Sequence, residues 1–443
     1  MQASYRPRLS KYLEGHGVKA LEMHTSQLKT RILGLMMFNV LLFILVDITI
    51  KYSQGRDQRG QVRIPSKRFW KKLAVSEAFW NRRQQRLDHL HNPLFAAAIA
   101  AGNDTLVEGA AAVPAGILAW MNDTSPEDPC APDHTVPSRV KDYERLPERF
   151  KDFLRYMRCR SYPMTLNVPE LCREPPFLLL AVKSLAPHFD RRQAIRQSWG
   201  RAGTYAGRKV VTVFLLGDAA ASDHFPDLSA MVRHEAALHG DILQWDFRDT
   251  FFNLTVKEVL FLEWLHASCA GARFVFKGDD DVFVNTRRIL DYLGGLRRAK
   301  ARDLFVGDVI TGAGPHRNQK LKYYIPESLF QGKYPPYAGG GGYIYSGDVA
   351  ARLYNASRKV SLYPIDDVYT GMCLQKIGLR PEKHKDFKTF NIDEKYRNNA
   401  CVYNALMLVH SRTPQEVIQI WSWLQDPGLR CQAVTVAVAD KTG

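Results

Sequence analysis

From about residue 141 onward, short apolar runs alternate densely with helical patterns, and nothing else in the chain constrains its fold as strongly. The runs are "FLLLAVKS" (177–184), "VVTVFLLG" (210–217), "DILQWDF" (241–247), "FVFK" (274–277), "LFVGDV" (304–309), "GYIYSG" (342–347) and "LMLVHS" (406–411). Several are apolar almost without a break, as strands covered on both faces are. Between them lie the helical stretches "RRQAIRQSWG", "TVKEVLFLEWLHASC", "RRILDYLGGLRRA" and "DDVYTGMCLQKIG". The alternation predicts an α/β domain with a mostly parallel central sheet. In such sheets ligands gather at the carboxyl ends of the strands.

One of these ends reads "FKGDDDVFVN" (276–285). Asp279, Asp280 and Asp281 repel one another, and none favours a core. Released at a strand tip, their oxygens suit a hard cation, Mg²⁺ or Mn²⁺, that keeps positions open for substrate phosphates. Asp and Gly are also ordinary turn residues, but the flanking apolar segments bury the backbone on both sides and hold the carboxylates in place. A second pair, Asp366 and Asp367, opens a helical stretch, where Asp complements the free N–H groups of a first turn. Asp366 is read as the cap and Asp367 as facing the cleft.

Other candidates are weaker. Arg192 and Arg196 are four apart and share one helix face, either a solvated basic face or a pair for a phosphate; Lys183 in "AVKS" is a lesser candidate of the same kind. Gly339, Gly340, Gly341 and Gly342 stand between Tyr337 and Tyr343, as a flexible turn or as a wall for a sugar or pyrophosphate. His410 ends a late strand, where a structural role is the ordinary one. Trp245, Phe247, Tyr323, Tyr324 and Tyr337 could stack on sugars or fill the core. No dinucleotide-binding or P-loop glycine pattern occurs.

The net charge is +16, but it is unevenly spread. Residues 1–31 carry +4, residues 51–90 carry +8, and residues 91–443 only +5. That pattern describes a basic tether on a nearly balanced domain, and it disfavours nucleic acid as a partner. Residues 32–50, "ILGLMMFNVLLFILVDITI", would extend roughly 28 Å as a helix, enough for a bilayer core. A retained signal-anchor fits better than a cleaved signal, because polar residues precede it and no clean cleavage site follows. Counting flanking Lys and Arg alone would put the C-terminal side in the cytoplasm. Against that stand four glycosylation sequons after the span, at Asn103, Asn122, Asn253 and Asn355. All seven cysteines also follow it, allowing up to three disulfides and one thiol in an oxidising compartment. The expected organisation is a cytoplasmic tail (1–31), a membrane anchor (32–50), a lumenal stem (51–140), the α/β domain (141–431) and a C-terminal tail (432–443).

"FKGDDDVFVN", together with "FLLLAVKSLAPHFDRRQAIRQSWG", "VFLLG", "DTFFNLTVKEVLFLEWL", "KYYIPESLFQGKYPPYAGGGGYIYSG", "YPIDDVYTGMCLQKIGL" and "LMLVHSRTPQEVIQIW", resembles the β-1,3-galactosyl/β-1,3-N-acetylglucosaminyltransferases, glycosyltransferase family 31. The resemblance covers about residues 141–431 with its motifs in order. "PPYAGGGG", "RFWKK" and "AFWNRRQ" are closest to members that extend poly-N-acetyllactosamine. It implies a GT-A fold, a single-pass type II Golgi membrane protein with a lumenal catalytic domain, and inverting transfer of N-acetylglucosamine from UDP-GlcNAc to the terminal galactose of a glycoprotein or glycolipid glycan. UDP-galactose as donor and an inactive membrane-anchored relative are the alternatives. It further implies Asp281 and His410 as ligands of Mn²⁺ or Mg²⁺, Asp279 and Asp280 as nucleotide-sugar contacts, and Asp367 as general base. Arg192, Arg196 and Lys183 would lie beside the nucleotide. The first acidic position of the base motif is Asp here rather than the family's Glu. Homo- or hetero-oligomers with related transferases are compatible with it.

Overall fold

The structure, a computed structural model, describes residues 76, 78–91, 128–218 and 227–431. The expected membrane segment, most of the stem, Asn103, Asn122 and residues 432–443 lie outside the described residues. Among the described residues no helix is long and apolar enough to cross a membrane.

The strands are β1 (Met164–Leu166), β2 (Leu178–Lys183), β3 (Gly203–Tyr205), β4 (Arg208–Asp218), β5 (Ile242–Arg248), β6 (Phe274–Asp279), β7 (Val282–Val284), β8 (Phe305–Ile310), β9 (Tyr337–Ser346), β10 (Glu382–Lys383), β11 (Phe387–Lys388) and β12 (Leu408–His410). The main sheet runs β1-β5-β4-β2-β6-β9-β8-β10, with β3 paired to β4. Its centre, β5-β4-β2-β6, is parallel, with Leu180 of β2 level with Thr212 of β4 and Phe276 of β6. β9 turns the sheet mixed by pairing antiparallel to both β6 and β8. A small second sheet, β11-β12-β7, folds over the tip of β6.

Both faces of the main sheet are covered, as the unbroken apolar runs require. Leu178, Leu180 and Val182 of β2 face one core. On that side pack α2 (Phe189–Gln197), α4 (Thr286–Gly294) and α7 (Pro414–Gln425). Leu179 and Ala181 face the other core, with α3 (Leu254–Ser268), α5 (Gly347–Ser357) and α6 (Asp366–Lys376). Three disulfides form, Cys130–Cys159, Cys172–Cys269 and Cys401–Cys431, and Cys373 is the buried free thiol.

An N-terminal helix, α1 (Phe79–Leu90), falls in the stretch read as stem yet packs into the main core. Trp80 is 3% exposed. Its indole N–H donates to the carbonyls of Ser361 and Leu362 at 3.1 and 3.0 Å, and its ring meets Phe330 and Tyr363 edge-on. Asn81 exchanges two hydrogen bonds with the backbone of Gln331, and Lys376 of α6 pairs with Asp88. The helix thereby braces the loop that leads into β9.

Candidate active site

Four elements meet at the carboxyl end of β6. β2 brings Lys183, β6 ends in the aspartate triplet, α6 begins with Asp366 and Asp367, and β9 crosses between them with its glycines. The strand tips are tightly ordered because the register β2–β6 sets Lys183 level with Asp279.

Lys183 is buried, and its Nζ lies 2.8 Å from Asp279 Oδ1 and 2.9 Å from Asp366 Oδ2. It therefore ties the triplet to the start of α6. Burial alone would favour neutral Lys183, but Asp279 and then Asp366 raise its proton affinity above the ordinary lysine value. Asp366 is not the helix cap expected from sequence: the cap position is Ile365, and the Asp366 carboxylate is engaged by Lys183. Burial opposes ionisation of Asp366, yet Lys183 and Lys277 hold it below the usual carboxylate range.

The three triplet carboxylates have separate environments. Asp280 turns inward and is 6% exposed. It accepts from Ser184 Oγ at 2.7 Å and Arg191 Nη1 at 2.9 Å, and its Oδ2 lies 2.8 Å from His188 Nδ1. Burial opposes its charge, but His188, Arg191 and Ser184 together keep it strongly acidic. Asp281 turns outward and is half-buried, with Oδ1 3.4 Å from His410 Nε2 and Oδ2 3.6 Å from Arg191 Nη1. β12 delivers His410 by pairing antiparallel to β7, so that His410 stands opposite Val282. Burial would lower the proton affinity of His410, but its bond to Asp281 and the charges of Asp281 and Asp279 raise it.

Asp367 is half-buried, one Oδ accepting from the Val368 N–H at 2.7 Å. Burial, and next the charge of Asp366, push its proton affinity up to about 7. Tyr334 and Tyr337 stand close enough to feel its charge. A carboxylate of this kind is suited to take a proton near neutral pH.

The glycine run is neither a turn nor a loop but the first half of β9. Its lack of side chains lets neighbours close in. A Cβ on Gly340 would lie 3.7 Å from both Asp367 Oδ2 and Lys183 Nζ, and one on Gly341 3.5 Å from His410 Cβ. On Gly339 it would meet Thr389 Cγ2 at 2.5 Å, and on Gly342 it would collide with Leu408 Cδ1.

The structure thus gathers Lys183, Asp279, Asp280, Asp281, Asp366, Asp367, His410 and the glycines in one place. Arg192 and Arg196 lie behind it, in the core. Both are fully buried between α2 and the next helix, Arg192 pairing with Glu235 at 2.6 Å and Arg196 with Asp241 at 2.7 Å. They form no solvated face, because their heads are taken up by buried carboxylates, and Arg192 Nη1 also donates to Ser184 Oγ at 3.4 Å, behind Asp280. The arginine at the site is Arg191, one position earlier and about 100° around the helix from Arg192. His188 and Ser184 were also not singled out, although all three lie within "KSLAPHFDRR". Trp245 and Phe247 are core residues, whereas Tyr323 is exposed and Tyr337 half-buried. Of the described sequon residues, Asn253 and Asn355 are half-buried and donate to the carbonyls of Arg248 and Ala351, each at 2.8 Å.

Among the described residues no group of three or more His, Cys, Asp and Glu comes together as a ready-made metal cage. Asp281 and His410 are a carboxylate and an imidazole facing one another across 3.4 Å. That two-donor set fits a divalent cation that takes its remaining ligands from a diphosphate.

A galactosyltransferase family model matches residues 190–386, a span that holds the triplet, the glycines and Asp367. The chain is 54% identical over 410 residues to N-acetyllactosaminide beta-1,3-N-acetylglucosaminyltransferase 2 of Mus musculus, covering 92% of this chain and 100% of the relative. The Homo sapiens protein of the same name is 52% identical over the same shares. UDP-GlcNAc:betaGal beta-1,3-N-acetylglucosaminyltransferase 7 of Rattus norvegicus is 44% identical over 63% of this chain and 72% of its own length. With two of these relatives matched over their whole length, the chain belongs to the galactosyltransferase family, glycosyltransferase family 31.

Proposed function

We propose that the chain is an inverting β-1,3-N-acetylglucosaminyltransferase that moves N-acetylglucosamine from UDP-GlcNAc to the terminal galactose of N-acetyllactosamine-type glycans. The donor and linkage rest on the full-length similarity to transferases named for that activity. The observation that carries the chemistry is Asp367, a half-buried carboxylate of raised proton affinity beside the aspartate–lysine cluster.

Asp367 takes the proton of the acceptor hydroxyl as its oxygen attacks the anomeric carbon opposite UDP. No covalent sugar–enzyme intermediate forms. Lys183 keeps Asp366 ionised and fixes Asp279, whose proton affinity burial raises and Lys183 only partly offsets, so the base has a constant neighbourhood. Asp279 faces the nucleotide sugar directly. Asp280 contributes by clamping Ser184, His188 and Arg191 in place, and Arg191 is left beside Asp281 where the diphosphate comes in. Asp281 and His410 would hold a divalent cation, Mn²⁺ or Mg²⁺, whose charge offsets that of the UDP leaving group. Gly340 leaves room for the sugar in front of Asp367.

The same reading makes residues 32–50 a Golgi signal-anchor, with the GT-A domain in the lumen and Asn103, Asn122, Asn253 and Asn355 as glycan acceptors. UDP release measured with a panel of donors and acceptors, with and without chelator, tests it. Turnover of UDP-GlcNAc on terminal galactose supports it. Turnover of UDP-galactose alone would overturn the donor assignment, and full activity in chelator would remove the metal.

A further inference from the structure

Beneath the site lies a buried pair that the proposed chemistry does not use. Glu258 on α3 forms an ion pair with Lys277 of β6, the lysine of the "FKGDDD" motif. Both are essentially without solvent exposure. On its other side, Lys277 Nζ is 4.0 Å from Asp366 Oδ2, and it lies 6.0 Å from the centre of the Tyr343 ring on β9. The order of charges through the protein is therefore Glu258, Lys277, Asp366, Lys183, Asp279, alternating in sign. A buried ion pair is weak evidence for stability, since two charges leave water to form it. Its position against the residue next to the base is what needs a reason.

We propose that Glu258 and Lys277 are a positioning pair that holds Asp366 ionised and in place beside the base Asp367. The inference rests on the assignment of Asp367 as base. Burial, and next the charge of Lys183, lower the proton affinity of Lys277 to about 7. The Glu258 carboxylate against it favours the charged form. Charged Lys277 then makes it easier for the Asp366/Asp367 pair to lose its last proton. The other groups facing that pair are Lys183 from β2, Asp279 from β6, Tyr337 and Tyr343 from β9, and Tyr334 from the preceding loop. Lys183 and Lys277 are the cations that act on Asp366, and Lys257 of α3 stands near Lys277 as a further positive charge, so Lys277 reaches the base through Asp366.

The test is the pH profile of kcat/KM for UDP release in the full chain and in three variants. K277M removes the charge nearest Asp366 and moves the acidic limb to higher pH by roughly half a unit or more, about threefold in rate on that limb. E258Q/K277M removes the pair together and leaves no uncompensated buried charge, so it folds even if K277M does not, and its limb moves up in the same way. D367N loses nearly all transfer while still binding UDP. If D367N is inactive and the limb of E258Q/K277M stays at the wild-type pH, the pair is structural only and the inference fails. If D367N keeps the wild-type rate and limb, the base assignment itself fails.

Discussion

Replacing Asp280 by Asn separates the clamp from the cation site one residue later. The Asp280 carboxylate is 6% exposed and has three partners within 2.9 Å. Asn matches its shape but lacks the charge, and its NH₂ group faces the Arg191 guanidinium that the carboxylate had paired. Breaking a fully buried pair typically costs about 3–5 kcal/mol. Arg191 is one-third exposed, so water screens part of that loss, and about 2–3 kcal/mol is the better expectation for Asp280→Asn. For a domain of this size that lowers Tm by roughly 5–10 °C. The sign with pH follows from the depressed proton affinity of Asp280. Its contribution is present above the ordinary Asp value of about 3.9 and is lost as pH falls towards its lower folded value. Thermal unfolding of wild type and D280N should therefore differ most near neutral pH and converge in strong acid. The donor KM should rise as well, because Arg191 and His188 lose their anchor. D281N serves as the contrast: half-buried and meant for a cation, it should cost activity with little loss of Tm. An unchanged Tm in D280N at pH 7, or a larger Tm loss in D281N than in D280N, would refute the assignment of Asp280 as the clamp.

Three further outcomes follow from the geometry. kcat/KM should rise about tenfold per pH unit on the acid side and level off above about 7, since Asp367 must be ionised to accept a proton; a pH–rate profile with its limb near 4 would contradict the raised value. Gly340→Ala adds a methyl 3.7 Å from Asp367 Oδ2 and Lys183 Nζ, so the protein should fold with wild-type Tm yet lose roughly a hundredfold in kcat/KM, whereas Gly342→Ala collides with Leu408 and should lower Tm instead. Trp80→Ala should cost about 3–5 kcal/mol, and a fragment starting at 141 should melt well below one starting at 76, as differential scanning fluorimetry will register.

The parallel centre of the sheet was legible because β2, β4 and the start of β6 are apolar almost without a break, and such runs have few other uses. The site was legible in part. Aspartates at a strand tip and at a helix start announce themselves, but their division of labour does not: Asp280 turns inward and Asp281 outward, although they are adjacent and identical. β9 was harder to read, because four glycines carry no β-branched signal and the strand forms by pairing with β6 and β8 far along the chain. The pairing of β7 with β12, which delivers His410, joins segments more than a hundred residues apart and leaves no local pattern. Arg192 and Arg196 misled because a shared helix face does not say which way that face turns. Their buried partners Glu235 and Asp241 lie beyond the next strand, and the arginine facing the site was the neighbour. α1 fell within the stretch read as stem, because its docking partner, the loop around Phe330, is some 250 residues away.

The central claim is that this cluster transfers N-acetylglucosamine with Asp367 as base, and one measurement addresses it most directly. A fragment covering 76–443 is given UDP-GlcNAc and an acceptor ending in galactose, and the product linkage and UDP release are followed for wild type and D367N. The expected result is a β-1,3-linked N-acetylglucosamine product from the wild type, and a rate lower by roughly 10²–10⁴ in D367N with UDP binding intact. Transfer from UDP-galactose only, or a D367N rate within a few fold of wild type, would contradict it.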